Sequence, residues 1–341
     1  MPGRIQSHGA MLICNDTDLI ITDVSANVED LIGLTVSEVI GQLVVDLVGP
    51  DVTDRLQSIM LDGQSTTRLV FIGSELIAER LFDLSAFTSG TSVIIELEKS
   101  PTSSHTKLNV ANQTNSLIET IKAPTTLTGL LSATVECLRD LTQFARVSAI
   151  SFDEHNNGEM LVESRANGVE SMLGLRFPEW DIPKQARDLM VRVPLRIIHD
   201  TTQDPIPILP NSRAFDISAS ELRAVSPVHI VYLQNMGIRT TMTLSIVIDD
   251  RLWGYISFHN FVPAVVSKEI RLICRSILEM LTLRMEVLQF RRRAQTAKHF
   301  KLIAADLYTQ LGSHMTIAQA IERNAPKLMS HFLIDGIGIL V

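Results

Sequence analysis

Asp181, Arg196, Arg223, His229 and His259 are residues of the types that bind a carboxylated, hydrogen-bonding ligand. Ser226-Pro227 predicts a helix start, because a serine side chain can accept an orphan amide bond and proline tolerates the first helical position. Gly237 is the matching stop. His229 then falls in the first turn, where the positive end of the backbone dipole disfavours an imidazolium and favours a nearby anion. It is expected to be neutral and to face a ligand. Upstream, Ser218-Ala-Ser-Glu221 has capping-box spacing and predicts a short helical segment carrying Arg223, whose guanidinium suits a carboxylate. The same residues also fit a plainer reading, with Arg223 paired to a local acid and His229 a satisfied core histidine.

The elements that must position these groups follow from alternation. Met242, Leu244, Ile246 and Ile248 lie on one side of a strand and Thr241, Thr243 and Ser245 on the other. Leu252, Ile256 and Phe258 alternate with Trp253, Tyr255, Ser257 and His259, so the two runs read as a hairpin. Apolar faces of paired strands must coincide, and a one-residue slip would put every side chain on the wrong face. A three-residue loop at Asp249-Asp250-Arg251 satisfies this and places Thr241, Thr243 and His259 together. Trp253 and Tyr255 on that face suggest a covered pocket wall. Asp181 stands between Trp180 and Ile182-Pro183, with Arg187 and Arg196 beyond. One reading makes it a helix cap. The other has its carboxylate or backbone carbonyl, held by the neighbouring prolines, point into a cavity.

A 341-residue chain with 45% hydrophobic content can build two or three cored domains. A net charge of −8 gives no electrostatic footprint for nucleic acid, and Arg291-Arg292-Arg293 is too short a run to change that. Cys14, Cys137 and Cys274 have no metal-type spacing and fit a reducing cytoplasm. No apolar run is long enough to span a bilayer. Neither a phosphate loop nor a nucleophile motif accompanies Asp181 and His229, so no enzymatic activity is expected.

Along the chain, two short strands flank Asn15-Asp-Thr-Asp18, a helix begins near Ser25 and Asn27, and residues 68–72, 81–87 and 92–97 read as strands with Gly73 and Ser89-Gly90 as turns. That order resembles a PAS domain, placed at residues 1–100. Residues 101–124 are a polar linker. Residues 127–141 carry apolar residues at the spacing of one helix face, with a strand at 147–152, and open a second α+β domain over 125–266. Residues 267–301 read as a long helix whose stripe of Ile270, Ile273, Ile277, Leu281 and Leu288 suits a domain connection or a dimer. Residues 302–341 read as the truncated start of a further domain of the same type in a longer protein, because 316–341 repeat the helix-then-strand pattern of 127–152.

With these residues assembled, the sequence resembles the photosensory core of a bacteriophytochrome, arranged PAS–GAF–PHY. The motifs are Pro2-Gly-Arg-Ile-Gln-Ser-His8-Gly, Trp180-Asp181-Ile-Pro183-Lys-Gln-Ala-Arg187, Arg223-Ala-Val-Ser226-Pro-Val-His229, Tyr232-Leu-Gln-Asn-Met-Gly237 and Leu252-Trp-Gly254. The resemblance implies an α+β fold in which each domain is an antiparallel sheet flanked by helices. It also implies that the segment around Ile5 threads a loop of the GAF domain, and that the GAF domain holds the linear tetrapyrrole biliverdin. Asp181 then matches the residue whose carbonyl contacts the pyrrole nitrogens, and His229 the one beside the same rings. Arg196 and Arg223 match propionate clamps assisted by Ser226, and Thr241 and Thr243 keep hydroxyls where serines are usual. His259 matches the residue at the far ring's carbonyl, and Phe177, Ile182, Pro183 and Tyr232 complete the lining.

Two departures carry consequences. The family's attachment cysteine lies upstream of Pro2-Gly3 or immediately before the histidine, where this chain has Val228, and none of its cysteines matches either place. Biliverdin is therefore expected to bind noncovalently. Ile150 and Met190 stand where pocket tyrosines are usual, which bears on photoconversion. The expected function is a red/far-red light sensor that acts through the long helix, as a homodimer, on an output domain outside this chain, with neither nucleic acid nor membrane as a partner. The alternative is a bilin-free module that signals independently of light or through its thiols.

Overall fold

Alternating apolar residues build two antiparallel sheets, and the way they share strands fixes the site. The computed structural model describes residues 3–61, 68–100, 119–210, 214–311, 315–332 and 335–338. They fall into two units, Met1–Thr282 and Leu283–Val341.

The first sheet combines β1 (Arg4–Ile5), β2 (Gly9–Asn15), β3 (Ile21–Ser25), β4 (Val70–Ile77), β5 (Arg80–Ser89) and β6 (Ser92–Lys99) with a strand from the second domain, β11 (Ile206–Leu209), in the order β1-β11-β3-β2-β6-β5-β4. Successive residues of β2 face opposite sides, as the two-residue period requires. Leu12 and Cys14 pack with Leu56, Leu84 and Ile95 under the helices α1 (Val28–Ile32), α2 (Val36–Val39), α3 (Val44–Val48) and α4 (Pro50–Leu61). Met11 and Ile13 pack with Ile208 and Leu222 of the second domain. Gly73, expected as a turn, instead lies inside β4 at a register shift; its φ of 132° suits glycine, and the Arg55 guanidinium occupies the space a Cβ would need. The turn is at Ala78-Glu79, both at positive φ.

Residues 3–6 are gripped on two sides. β1 pairs with β11, the Gln6 amide donates to the Leu222 carbonyl at 2.7 Å, and the Ala224 amide donates to the Arg4 carbonyl at 3.0 Å. The Ile5 side chain is fully buried there, as expected of a segment threaded through the second domain.

The second sheet runs β10 (Leu195–Ile198)-β12 (Thr240–Ile248)-β13 (Arg251–Asn260)-β7 (Arg146–Phe152)-β8 (Gly158–Arg165)-β9 (Arg176–Phe177). Helix α5 (Leu127–Thr142) covers one face through Leu130, Leu131, Val135 and Leu138, with Thr126 accepting from the Gly129 amide as its cap. The β12–β13 hairpin corrects one expectation and keeps its consequence. Its turn has two residues, Asp249 and Asp250, with φ of 49° and 57°, the primed geometry that matches strand twist. A bulge restores the parity: Ile246 opposes Gly254 while Val247 opposes Leu252, leaving Trp253 as the extra residue. Thr241 therefore still faces His259. Gly254 is required where it lies, since a Cβ there would stand 2.1 Å from the Ile150 carbonyl oxygen.

Helices α6 (Lys184–Arg192) and α7 (Pro227–Asn235) flank the free face of this sheet, and α8 (Lys268–Leu311) follows it. Helix α8 runs to Leu311, beyond the expected residue 301. In the first unit its stripe is already occupied, with Ile273, Ile277 and Leu281 buried within the chain. Arg271 is buried beside Glu98 and Glu221, and Lys268 lies 3.0 Å from Glu221. In the second unit, α9 (Ile317–Phe332) opens with reciprocal bonds between Thr316 and Gln319, and Lys327 pairs with Asp306 of α8 at 2.9 Å. Of the strand expected over residues 335–341, residues 335–338 form none and residues 339–341 lie outside the described residues. Most of the expected linker, residues 101–118, lies outside the described residues.

Glu96 sits at the same junction, fully buried, with the Leu222 amide donating to it at 3.3 Å. Burial, only partly offset by the Lys268 charge, raises its carboxyl from 4.5 to about 7. A raised folded-state value stabilises the fold below the unfolded value and loses that contribution as pH climbs through the folded one. Stability is thus expected to fall between about pH 4.5 and 7 through this group. Denaturant melts of Glu96→Gln across that window should show the slope reduced.

Candidate functional site

The face of the second sheet opposite α5 carries a polar row set by strand register. Arg196 pairs with Thr243 and Thr243 with Ser257; Thr241 pairs with His259 and His259 with Arg146. Ile150 and Tyr255 oppose each other further along the same face.

Above it lies α7, begun by Ser226 and Pro227 as the sequence predicts. The Ser226 hydroxyl makes no capping bond. The helix closes at Gly237, with the Ile238 amide reaching back to the Leu233 carbonyl at 2.9 Å and φ of 71° at Gly237. His229 and Tyr232, one turn apart, present parallel rings with centroids 6.1 Å apart. Both are solvent-accessible, so their rings are open to a ligand.

Asp181 approaches from a third element. It ends a 3-10 turn, Glu179–Asp181, and does not cap α6, whose cap position is Pro183. Arg187 ties the turn to the helix through Glu179 at 2.7 Å and the Ile182 carbonyl at 2.6 Å, a structural use of that guanidinium. The Asp181 charge is felt at two phenols. Burial first and then Asp181 raise Tyr232, and burial, Tyr232 and Asp181 raise Tyr255 well above the usual range. Asp181, Tyr232 and Tyr255 therefore converge from three segments.

The cations are placed by a fourth. Arg223 is not helical, contrary to the capping-box expectation: it forms an isolated bridge to Ile5, because the Glu221 carboxylate is taken by Lys268 and Arg271 instead of an amide of its own turn. Arg196 donates to the Ser220 carbonyl at 3.4 Å and to the Arg223 carbonyl, which fixes the two residues side by side. Burial, and then the Arg223 charge, bring the Arg196 guanidinium down to about 9. Among the described residues neither arginine has a carboxylate within ion-pair distance; Asp216 acts on Arg223 only from further away, and the Arg223 Nε is buried without a partner.

Both histidines are shifted toward the neutral form. Burial lowers His229, with Arg196 adding to it, and burial, Arg146 and His229 bring His259 down to about 3. His259 Nε2 shares a 2.8 Å hydrogen bond with the Ser257 hydroxyl, and its Nδ1 is buried with no partner among the described residues. The arrangement thus offers two guanidiniums for carboxylates, imidazoles and hydroxyls for neutral carbonyls or N–H groups, and aromatic and aliphatic walls between them.

Of the residues singled out in the sequence, Arg196, Thr241, Thr243 and His259 lie on this polar face, and Asp181, Arg223, His229 and Tyr232 lie near it. Ile150 is buried behind it, with Phe177 beside it across Gly158. Met190 lies on α6, whose helix packs against β12 and β13. Sequence reasoning missed Arg146 and Ser148, whose Oγ is buried and unpartnered. The period-two alternation of β7 would have exposed them, since they share a face with Ile150.

Known proteins bear on this arrangement. The family profile described as PAS fold matches residues 1–100, and that of the GAF domain matches residues 126–285. The chain is 29% identical over 347 residues to cyanobacterial phytochrome B of Nostoc sp., covering 99% of this chain and 46% of that protein. It spans less than half the length of the curated relatives it matches. Among solved structures it is similar to the chromophore-binding domain of an unusual bacteriophytochrome from R. palustris, at 32% identity and a TM-score of 0.75, covering 85% of this chain and 97% of that one. A longer bacteriophytochrome structure from R. palustris matches at 30% identity and a TM-score of 0.87, covering 97% of this chain and 68% of that one. A chain that reproduces nearly all of such a domain at this identity, with both domain profiles in order, belongs to the phytochrome family and comprises the PAS and GAF part of a bacteriophytochrome photosensory module.

Proposed function

We propose that this chain binds biliverdin, a linear tetrapyrrole with two propionates, between α7 and the polar face of the second sheet, and serves as the sensory part of a red/far-red photoreceptor. The observation that carries the reading is the Arg196–Arg223 pair, two arginines joined through the Arg223 carbonyl and without a carboxylate at ion-pair distance among the described residues, near His229 and His259. The pair takes the propionates, Asp181 and His229 face the pyrrole nitrogens, and His259 with Thr241 and Thr243 faces the far lactam. Light isomerises the bound bilin, the pocket repacks, and α8 transmits the change to an output domain. The reading gives this chain no enzymatic step. A homodimer through α8 is supported by Leu283, Val287 and Phe290, which are exposed at the spacing of one helical face.

Binding within these residues is noncovalent in this reading. Cys14, Cys137 and Cys274 are all buried, and burial raises each thiol, Cys14 and Cys274 to about 12. Such thiols are poor nucleophiles, which also weighs against redox signalling. The test compares biliverdin with its dimethyl ester, which keeps the rings and removes both negative charges. Each lost charge-assisted bond is worth about 1.5–3 kcal/mol, so the ester should bind at least tenfold more weakly. Equal affinities would show that the arginines do not hold the propionates.

A further inference from the structure

Outside the pocket, three ligating side chains meet where the PAS and GAF domains join. His8 precedes β2, Glu98 lies near the end of β6, and His199 follows β10. The two imidazole centroids are 3.8 Å apart with the rings tilted by 42°. His8 Nε2 lies 3.6 Å from Glu98 Oε2, and one nitrogen or oxygen from each of the three residues lies within 4.8 Å of the others. Both Nε2 atoms are buried, and neither has a hydrogen-bond partner among the described residues.

The surroundings prepare these atoms as donors of lone pairs. His199 Nδ1 lies 3.2 Å from the Ala264 carbonyl oxygen, which can only accept, so Nδ1 carries the proton and Nε2 the lone pair. The Glu98 carboxylate is held by Arg271 Nη2 at 2.5 Å. A backbone carbonyl behind a histidine and a hydrogen-bonded carboxylate are the outer contacts that orient metal ligands. Lys268 and Arg271 would oppose a dication, but Glu98 and Glu221 beside them balance those two charges. A cavity of about 640 Å³, lined by both histidines with Ser7, Asp200 and Gln203, adjoins the cluster and leaves room for a water molecule.

We propose that His8, Glu98 and His199 form a binding site for a first-row divalent metal ion, with Zn²⁺ the ion that two imidazoles, one carboxylate and an open position fit best. Ligand bonds of about 2.0–2.2 Å need donor atoms about 3.3 Å apart, so the site closes by shifts of no more than about 1.5 Å. The ion would join the turn before β2 and strand β6 of the PAS domain to the segment after β10 of the GAF domain and pin their junction. None of the three ligands is a residue assigned to the bilin pocket.

The test is Zn²⁺ titration of the bilin-free full chain against a chromogenic chelator, with Co²⁺ absorption as a second probe. One high-affinity ion per chain is expected. Outer-shell substitutions already cost about 10–100-fold in affinity, so His8→Gln and His199→Gln should each weaken binding by more than about a hundredfold. His155→Gln, at an exposed histidine, should leave it unchanged. Zn²⁺ should raise the melting temperature of the wild type and leave that of His199→Gln unmoved at equal circular dichroism, which separates lost ligation from lost folding. Binding that is absent, or identical in both variants, would overturn the proposal.

Discussion

Arg271→Met is expected to destabilise the chain by about 3–5 kcal/mol, the cost of removing one partner from a buried ion pair. Arg271 is 1% exposed, with one guanidinium nitrogen on Glu98 and another on Glu221. Removing it leaves Lys268 on Glu221 at 3.0 Å, and among the described residues leaves Glu98 no cation at ion-pair distance except a protonated His8, with the Lys268 charge acting from further away. Burial and then His199, the two largest causes that push His8 toward the neutral form, both remain in the variant, so Glu98 would be left buried without an ion-pair partner. The three residues come from a PAS strand, a GAF loop and α8, so the loss should appear as reduced cooperativity between domains as well as a lower melting temperature. Adding Glu98→Gln to the variant should recover part of the loss, because the uncompensated charge goes with it. An unchanged melting temperature would mean that water reaches this cluster.

Arg223→Leu should weaken biliverdin binding by about tenfold to 150-fold, the equivalent of about 1.5–3 kcal/mol for a charge-assisted bond. Arg223 is the better probe of the pair. Arg196 also holds the carbonyls of Ser220 and Arg223, so its loss would disturb the loop, whereas the Arg223 Nε has no partner. The penalty for esterifying the propionates should shrink in Arg223→Leu, since the interaction it removes is already gone. Undiminished discrimination between acid and ester in the variant would place the propionates elsewhere.

What could be read from the chain beforehand follows the range of the forces involved. Helix α7 was legible because Ser226-Pro227 and Gly237 act within their own turns, and the hairpin face was legible because alternation forces Thr241 opposite His259. The turn was not: a bulge at Trp253 and a three-residue loop leave the same parity, so alternation alone does not distinguish them. The Arg223 segment misled for a different reason. Ser218 and Glu221 have capping spacing, but the Glu221 carboxylate pairs with Lys268 and Arg271, which lie 47 and 50 residues away in sequence. The stripe on α8 likewise could not announce that Ile273, Ile277 and Leu281 are buried within the chain's own first unit. Local periodicity located the polar face of the pocket; the placement of its cations depended on contacts between distant segments.

The most direct measurement is the absorbance spectrum of the purified chain with added biliverdin, before and after red illumination, followed by denaturing electrophoresis with zinc-fluorescence detection. A red band that forms in the native protein, changes on illumination and is lost on denaturation is the predicted result, with the bilin held noncovalently between α7 and the sheet. Absence of any red band with wild-type protein would contradict the account at its centre.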